Sequence, residues 1–292
     1  MDLIKGFEHF VRDSEPLAPY SWLRIGGIAE YFAEPTSVEE LVALVRRCHE
    51  SEVPVRLLGG GSNLLISDAG VPGMVIRLSH PDFSAISMDG NRVTAGGGAR
   101  LAHVISTAVG QGLAGLESLV GIPGTVGGAV HGNTGCAGGD IGQWIVSAEV
   151  LTHTGERHTR SGADLQFAYR QSSLDELAIL SAQFQLESAD PEELTRRMQK
   201  AWIIKKSHQP AGEGRIGYIF SDVPGASADQ LIEQSGLKGT SVGGAEVCAE
   251  HANFIIAGDD TTADDVLRLI DLVQGRVREV MGVDLRRQIE VW

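Results

Sequence analysis

Two glycine-rich runs are the residues here best suited to chemistry, and the chemistry they suit is holding a phosphate-bearing ligand. Gly121 to Gly142 reads GIPGTVGGAVHGNTGCAGGDIG, nine glycines in 22 residues. Such a run is expected to avoid helix and strand interiors, to add little to a core, and to bring backbone N–H groups close to ligand oxygens. A flexible linker is the competing reading. Against it, Pro123, Thr125, Val126, Val130, Asn133 and Ile141 interrupt the Gly/Ser monotony that linkers show. The second run, Gly59-Gly60-Gly61-Ser62-Asn63 followed by Leu64-Leu65-Ile66, leaves a short strand-like segment at Val53–Leu58. It has neither the G-x-G-x-x-G spacing of a Rossmann turn nor the G-K-[ST] of a P-loop. One triple glycine is also what a tight turn uses. Two such loops in one chain point to a large phosphate-bearing cofactor.

Other chemistries find less to work with. The nine histidines are scattered, with no H-E-x-x-H and no C-x-x-C, and Cys136 with His131 is too little for a metal site. There is no G-x-S-x-G elbow for a serine nucleophile and no lysine loop for phosphoryl transfer. Hydride transfer is the chemistry that a diphosphate cofactor most often brings. Tyr169-Arg170, by itself, reads equally as an ordinary strand-end pair with its tips in water.

The elements that must position these loops follow from periodicity. Val38, Leu41, Val45 and Cys48 lie at helical spacing behind a capping box, Ser37 with Glu40. Short strands and turns are expected from Met74 to Gly98, and a helix over Leu101–Gly110. Further strands are expected at Val146–Thr152 and Leu177–Leu186, then a helix from Pro191 into the basic pair Lys205-Lys206. A boundary fits Ser207–Gly214. Beyond it the pattern predicts a strand at Ile216–Phe220, a helix at Ala228–Ser235, and strands near Gly244–Val247 and Asn253–Ile256. A long helix capped near Thr261/Thr262 carries the stripe Val266, Ile270, Val273, Val277, Val280, and a last strand covers Gln288–Trp292.

Bulk composition bounds the rest. The chain has 292 residues, 42% of them apolar, enough for two or three domains. A formal charge of −14 argues against a general nucleic-acid or membrane-surface binder, while leaving room for an anion in a cleft lined by a few cations. Three separated cysteines (Cys48, Cys136, Cys248) do not make a disulfide framework and suggest a reducing compartment. With no signal-peptide order at the N-terminus and no spanning apolar run, a soluble cytoplasmic protein is expected.

Seven segments together carry a resemblance over almost the whole chain: RIGG (Arg24–Gly27), LLGGGSNLLISD (Leu57–Asp68), GLESLVGIPGTVGGAVHGNTG (Gly115–Gly135), AYRQS (Ala168–Ser172), LIEQSGLKG (Leu231–Gly239), VGGAEV (Val242–Val247) and HANFII (His251–Ile256). In this order they resemble the UDP-N-acetylenolpyruvoylglucosamine reductases of peptidoglycan synthesis, in the short form without a long inserted loop. The resemblance implies an α+β, two-lobed FAD-binding fold of the vanillyl-alcohol-oxidase type, with lobes at 1–78 and 79–206. A C-terminal α/β substrate domain would follow at 207–292, whose last strand has the option of returning to lobe 2. It implies that Gly59, Gly60, Gly61, Ser62, Asn63 and Leu64, with Gly121, Pro123, Gly124, Thr125, Gly127 and Gly128, hold FAD. Asn133, Gly135, Asp140 and Ile141 would continue that wall. NADPH would be the electron donor, a UDP-sugar the substrate, and a monomer or weak dimer the expected state. Arg170, beside Tyr169, matches the arginine that stabilises the substrate carboxylate, a task suited to a guanidinium fork.

The chain departs from that family at four positions. Where the family has a segment resembling A-G-S-x-F-K-N-P, this sequence reads Ile216-Gly217-Tyr218-Ile219-Phe220-Ser221-Asp222-Val223. Tyr218 therefore stands at the proton donor, Ser221 at a lysine or arginine, and Asp222 at an asparagine. Gln288 stands at a glutamate near the C-terminus. A tyrosine hydroxyl, with its pKa of about 10, can donate a proton, but from a longer reach than serine. Gln288 can carry neither proton nor charge, and Asp222 is expected to face a polyanionic substrate with like charge. Two readings stay open: a reductase in which Tyr218 replaces the serine, or a flavin-binding relative that has lost this reaction.

Overall fold

The computed structural model describes residues 3–136, 138–210 and 215–292; part of the expected boundary loop, 211–214, lies outside them. Contacts divide the chain into two compact units, each built from three segments. The first comprises Met1–Asp13, Tyr31–Gly60 and Pro72–Lys205, the second Ser14–Glu30, Gly61–Val71 and Lys206–Trp292.

In the first unit, helix α1 (Val38–Glu50) buries Leu41, Leu44, Val45 and Cys48, the face that the spacing predicted. Ser37 Oγ accepts the Glu40 N–H at 3.2 Å. The return half of the expected capping box is absent, because Glu40 reaches back to Thr36, accepting its N–H at 2.7 Å and its hydroxyl at 2.8 Å. Val55–Leu58 runs parallel to the strand ending at Arg77 and pairs with it from Val55↔Met74 to Leu58↔Arg77. An antiparallel five-stranded sheet follows in the order Arg157–Ser161, Ile145–Leu151, Ala178–Gln185, Arg92–Gly96, Ile86–Asp89. Helices α2 (Leu101–Gly110) and α3 (Val126–His131) belong to its core cluster, together with Leu194 of α4 (Pro191–Lys206). A separate cluster gathers Phe10, Leu41, Met74 and Phe83. We propose lobes at 1–78 and 79–206 that share this second core, which also takes in Leu151, Leu177 and Leu180.

Helix α3 corrects one expectation. It forms inside the glycine run because Thr125 caps it and because Val126, Ala129 and Val130 turn fully into the core. Burial of these apolar side chains outweighs the poor propensity of Gly127 and Gly128, which costs about 1 kcal/mol each.

The second unit is an antiparallel sheet ordered Ile216–Tyr218, Phe254–Ala257, Ala245–Val247, Ser241–Val242. Helix α6 (Ala263–Met281) covers it and packs against α5 (Ala228–Gln234). Val266, Ile270, Val273 and Val277 of α6 are buried as the stripe predicted, but Val280 is 45% exposed, one turn beyond the sheet. Thr262 and Asp265 form a capping box. Asp68 adds to it from far along the chain, its carboxylate accepting the N–H groups of Ala263 at 3.0 Å and Asp264 at 3.2 Å. The last strand, Glu290–Val291, does not return to residues 79–206. It runs parallel to Leu64–Leu65.

Candidate functional site

The two glycine loops meet in the first unit, and they meet backbone to backbone. A Cβ placed on Gly60 would lie 2.7 Å from Gly124 Cα, and one on Gly59 would lie 3.2 Å from Thr125 Oγ1. Gly121 and Gly124 have φ of +79° and +123°. Any larger residue at Gly60 would therefore fill the cradle. A third run, Gly96-Gly97-Gly98, at the end of the expected strands and turns, supports them. Gly97 N–H donates to Leu180 O at 2.7 Å, while Gly97 O accepts the Gly127 N–H at 2.8 Å. Val126 N–H goes to Ala99 O at 2.9 Å and Gly128 N–H to Thr125 Oγ1 at 3.4 Å. The first amides of α3, Gly127 and Gly128 included, are thus engaged inside the protein. The surface left for a ligand is the rim at Gly59–Gly60 and Gly121–Thr125, with Pro123 among it. A side-chain-free cradle of this kind fits a long, flat cofactor lying across it.

Asn133 and Ile141 are placed differently from what a contact wall needs. Ile141 is fully buried in the sheet core, and Asn133 is 2% exposed. The Asn133 amide donates to Ala168 O at 2.8 Å and accepts the Gly142 N–H at 3.1 Å. Gly135–Cys136 pairs with Gly139–Asp140 as a small hairpin beside them. Asn133 thereby ties this hairpin region to a second one, Phe167–Ala168 with Gln171–Ser172, whose turn is Tyr169-Arg170. Tyr169 is 65% exposed and stacks under the Arg170 guanidinium, 5.9 Å from ring centre. Arg170 has φ of +58°, a left-handed conformation uncommon for a side chain of this size and concentrated at functional turns. Among the described residues it shares this region with Ser14, Arg24, Glu52, Asn133 and Arg215, so what distinguishes Arg170 is its place on the turn.

Lys205, in sequence only half of a basic pair, gains a place in the structure. Its stem lies against Gly121, where an added Cβ would meet Lys205 Cγ at 3.2 Å. Burial pushes the Lys205 ammonium below its ordinary range, and the Arg170 charge adds to that shift. Two cations that feel one another beside a glycine turn form an electropositive corner, suited to an anionic group.

In the second unit, Tyr218 ends the strand Ile216–Tyr218 and stands edge-on to Phe254, ring centres 5.2 Å apart. Ser221 pairs opposite Arg286. Asp222, expected to face substrate, turns one carboxylate oxygen to α5, accepting the Ala228 N–H at 2.9 Å. Gln288 sits beside Ile219, its N–H donating to Ile219 O at 2.7 Å. Its side-chain Oε1 is buried with no hydrogen-bond partner. Asn63 of the glycine loop gives its amide to Gln288 O at 3.1 Å, and Asn63 O accepts the Glu290 N–H at 3.0 Å. Gly61 is packed where a Cβ would lie 2.0 Å from Tyr20 O, and Leu64 is buried. Asn63, Gly61 and Leu64 therefore brace the loop that carries Ser62.

Among the described residues no cluster of three His, Cys, Asp or Glu side chains could hold a metal ion. Burial pushes the Cys48 thiol up to about 11, which makes it an inert core residue. No helix of the described residues is long and apolar enough to cross a membrane.

Comparison with known proteins gives two family matches. Residues 29–161 match a model described as an FAD binding domain, and residues 209–292 one described as the C-terminal domain of UDP-N-acetylenolpyruvoylglucosamine reductase. The chain is 39% identical to the enzyme of that name from Rhodopirellula baltica, over 97% of this chain and 93% of the relative. It is 36% identical to the one from Listeria welshimeri, over 99% and 98%. Among solved structures it superposes on UDP-N-acetylenolpyruvylglucosamine reductase from Thermus caldophilus with a TM-score of 0.81 and 36% identity, covering 97% of this chain and all of that one. A variant of Phl p 4, a glucose oxidase, matches at a TM-score of 0.51 over 65% of this chain and 44% of its own, at 19% identity, and shares the fold alone. The fold is the expected FAD-binding type with a C-terminal domain, and FAD is the cofactor.

Proposed function

We propose a reaction from one premise: this chain belongs to the UDP-N-acetylenolpyruvoylglucosamine reductase family and is a flavin-dependent oxidoreductase. The substrate is UDP-N-acetylenolpyruvoylglucosamine, reduced at its enol-ether double bond to the muramate product for peptidoglycan synthesis in the cytoplasm, with NADPH as electron donor. FAD, when bound, supplies the hydride exchange between the two. Everything else falls to side chains of this protein. The rim at Gly59–Gly60 and Gly121–Thr125, with Ser62, seats the cofactor. Arg170 receives the substrate carboxylate as charge builds there, and Lys205 raises the positive potential on the same side. In the second unit, Tyr218 is the group to donate the proton and the Gln288 side chain a hydrogen-bonding group for the substrate. Ser221 lines the sugar side without adding charge.

The observation that supports this reading best is Arg170, held at φ of +58° on a turn that Asn133 braces. A left-handed arginine costs about 1–2 kcal/mol over a glycine. A second reading, a flavin protein without the sugar reaction, is favoured by Gln288, which cannot act as an acid. One stopped-flow experiment separates them. NADPH should bleach the yellow protein anaerobically, and the enolpyruvyl sugar should then restore its colour faster than a sugar-free control. Equal rates would leave only the second reading. Tyr218→Ser with Gln288→Glu should raise the rate if the pocket keeps the family's shape.

A further inference from the structure

We propose that Asn253 is a positioning residue for the proton-delivering segment, its buried amide holding Tyr218–Ser221 in place where strand pairing is interrupted. This rests on the reaction given above. The segment changes partners halfway along. Up to Tyr218 it pairs with Phe254–Ala257, ending at Tyr218↔Phe254. From Phe220 it pairs with Arg286–Arg287 instead. Between the two, Ile219 N–H donates to Asn253 O at 3.1 Å, and Ile219 O accepts from both Gln288 N at 2.7 Å and Ile289 N at 3.3 Å.

Phe220, turned toward Asn253, meets a side chain where a ladder would have supplied backbone. Asn253 Oδ1 accepts the Phe220 N–H at 2.9 Å, and Asn253 Nδ2 donates to Phe220 O at 2.8 Å. The order of oxygen and nitrogen is forced, since a backbone N–H needs an acceptor and a carbonyl a donor. Asn253 is 2% exposed, and its own N–H is fixed by Asp229 Oδ1 of α5 at 3.1 Å. Only a carboxamide of this length matches both Phe220 groups. Aspartate would set a lone pair against Phe220 O, and glutamine would be one methylene too long.

The functional consequence follows from where the clamp acts. Tyr218 and Gln288 are each one step from Ile219, one along the chain and one through a hydrogen bond, so the clamp sets both together. A shift of about 1 Å in a reacting group costs on the order of 100-fold in rate. HANFII was a recognised motif in the sequence, but nothing there said that its asparagine faces the proton-delivering strand.

The test uses the full chain loaded with FAD, as Asn253→Asp, Asn253→Ala, Tyr218→Phe, and the Asn253→Ala/Tyr218→Phe double variant. Flavin reduction by NADPH should stay within about twofold of the parent in both Asn253 variants, and the sugar should still perturb the flavin spectrum with an affinity within about threefold. Single-turnover reoxidation by the sugar should slow by about 30-fold or more. Tyr218→Phe should slow the parent at least about tenfold yet add less than about twofold once Asn253 is alanine, because the two act as one unit. Hydrogen exchange in residues 216–222 should rise about tenfold, with α6 unchanged. Additive rate losses, or exchange that is unaltered or raised uniformly, would overturn the assignment. If the parent is not reoxidised by the sugar at all, the reaction reading fails. The local exchange result then decides alone whether Asn253 fixes this segment.

Discussion

Replacing Arg170 by glycine and by alanine separates the strain of its backbone from the work of its side chain. Arg170 occupies the second position of a two-residue turn between Phe167–Ala168 and Gln171–Ser172, at φ of +58°. That seat favours glycine. Alanine keeps the unfavourable backbone, while glycine relieves it at some entropic cost in the unfolded chain, so Arg170→Gly should be the more stable by about 1 kcal/mol. For a domain the size of the first unit that is roughly 2–4 °C in melting temperature. Calorimetry on the FAD-loaded proteins would read it, with cofactor content matched beforehand. Both variants lose the guanidinium equally, and a donor aimed at developing charge is worth about 10²–10³ in rate. Sugar-dependent reoxidation should therefore fall by that factor in each, leaving a glycine variant that is sturdier than the alanine one and no more active. Arg170→Lys should recover only part of the rate, having charge but no fork. Coincident melting curves would refute the strain argument. A rate within threefold of the parent in either variant would remove Arg170 from the substrate carboxylate.

Further outcomes follow from the same geometry. Gly60→Ala places a Cβ 2.7 Å from Gly124 Cα, backbone that cannot rotate aside, so FAD affinity should fall by about 10–100-fold, a cost of roughly 1–3 kcal/mol. Gly110→Ala, at the end of α2 with nothing within 4 Å, is the control and should leave the flavin content unchanged. Asn133→Ala strips partners from Ala168 O and Gly142 N. It should cost about 0.5–1.5 kcal/mol for each hydrogen bond lost, seen as a lower urea midpoint, and should loosen the Arg170 turn. The Glu40 carboxyl is held down at about 2, first by its hydrogen bond to His9 and then by the Thr36 N–H, against an ordinary 4.5. Its folded value is the lower one, so the stability it lends is present above pH 4.5 and is lost as pH falls toward 2. Glu40→Gln should flatten the acid unfolding profile in that window, and an unchanged profile would count against the pairing.

The amino-acid pattern alone determined the helices around Leu41, Leu101 and Val266, the strand leading into Gly59-Gly60-Gly61, and the likeness to a reductase family. Each of these is a local matter of period, capping or contiguous motif. Tertiary structure decided the rest. Whether a glycine run is loop or helix depended on whether Val126, Ala129 and Val130 found a core, which no window of sequence contains. That Gly60 faces Gly124, that Asn63 reaches Gln288, and that Asp68 caps α6 are pairings between residues tens to hundreds of positions apart. The roles of Asn133 and Asn253 were hidden for the same reason. An amide's function is set by which buried backbone groups lack a partner, and that is known only once every other strand has been paired.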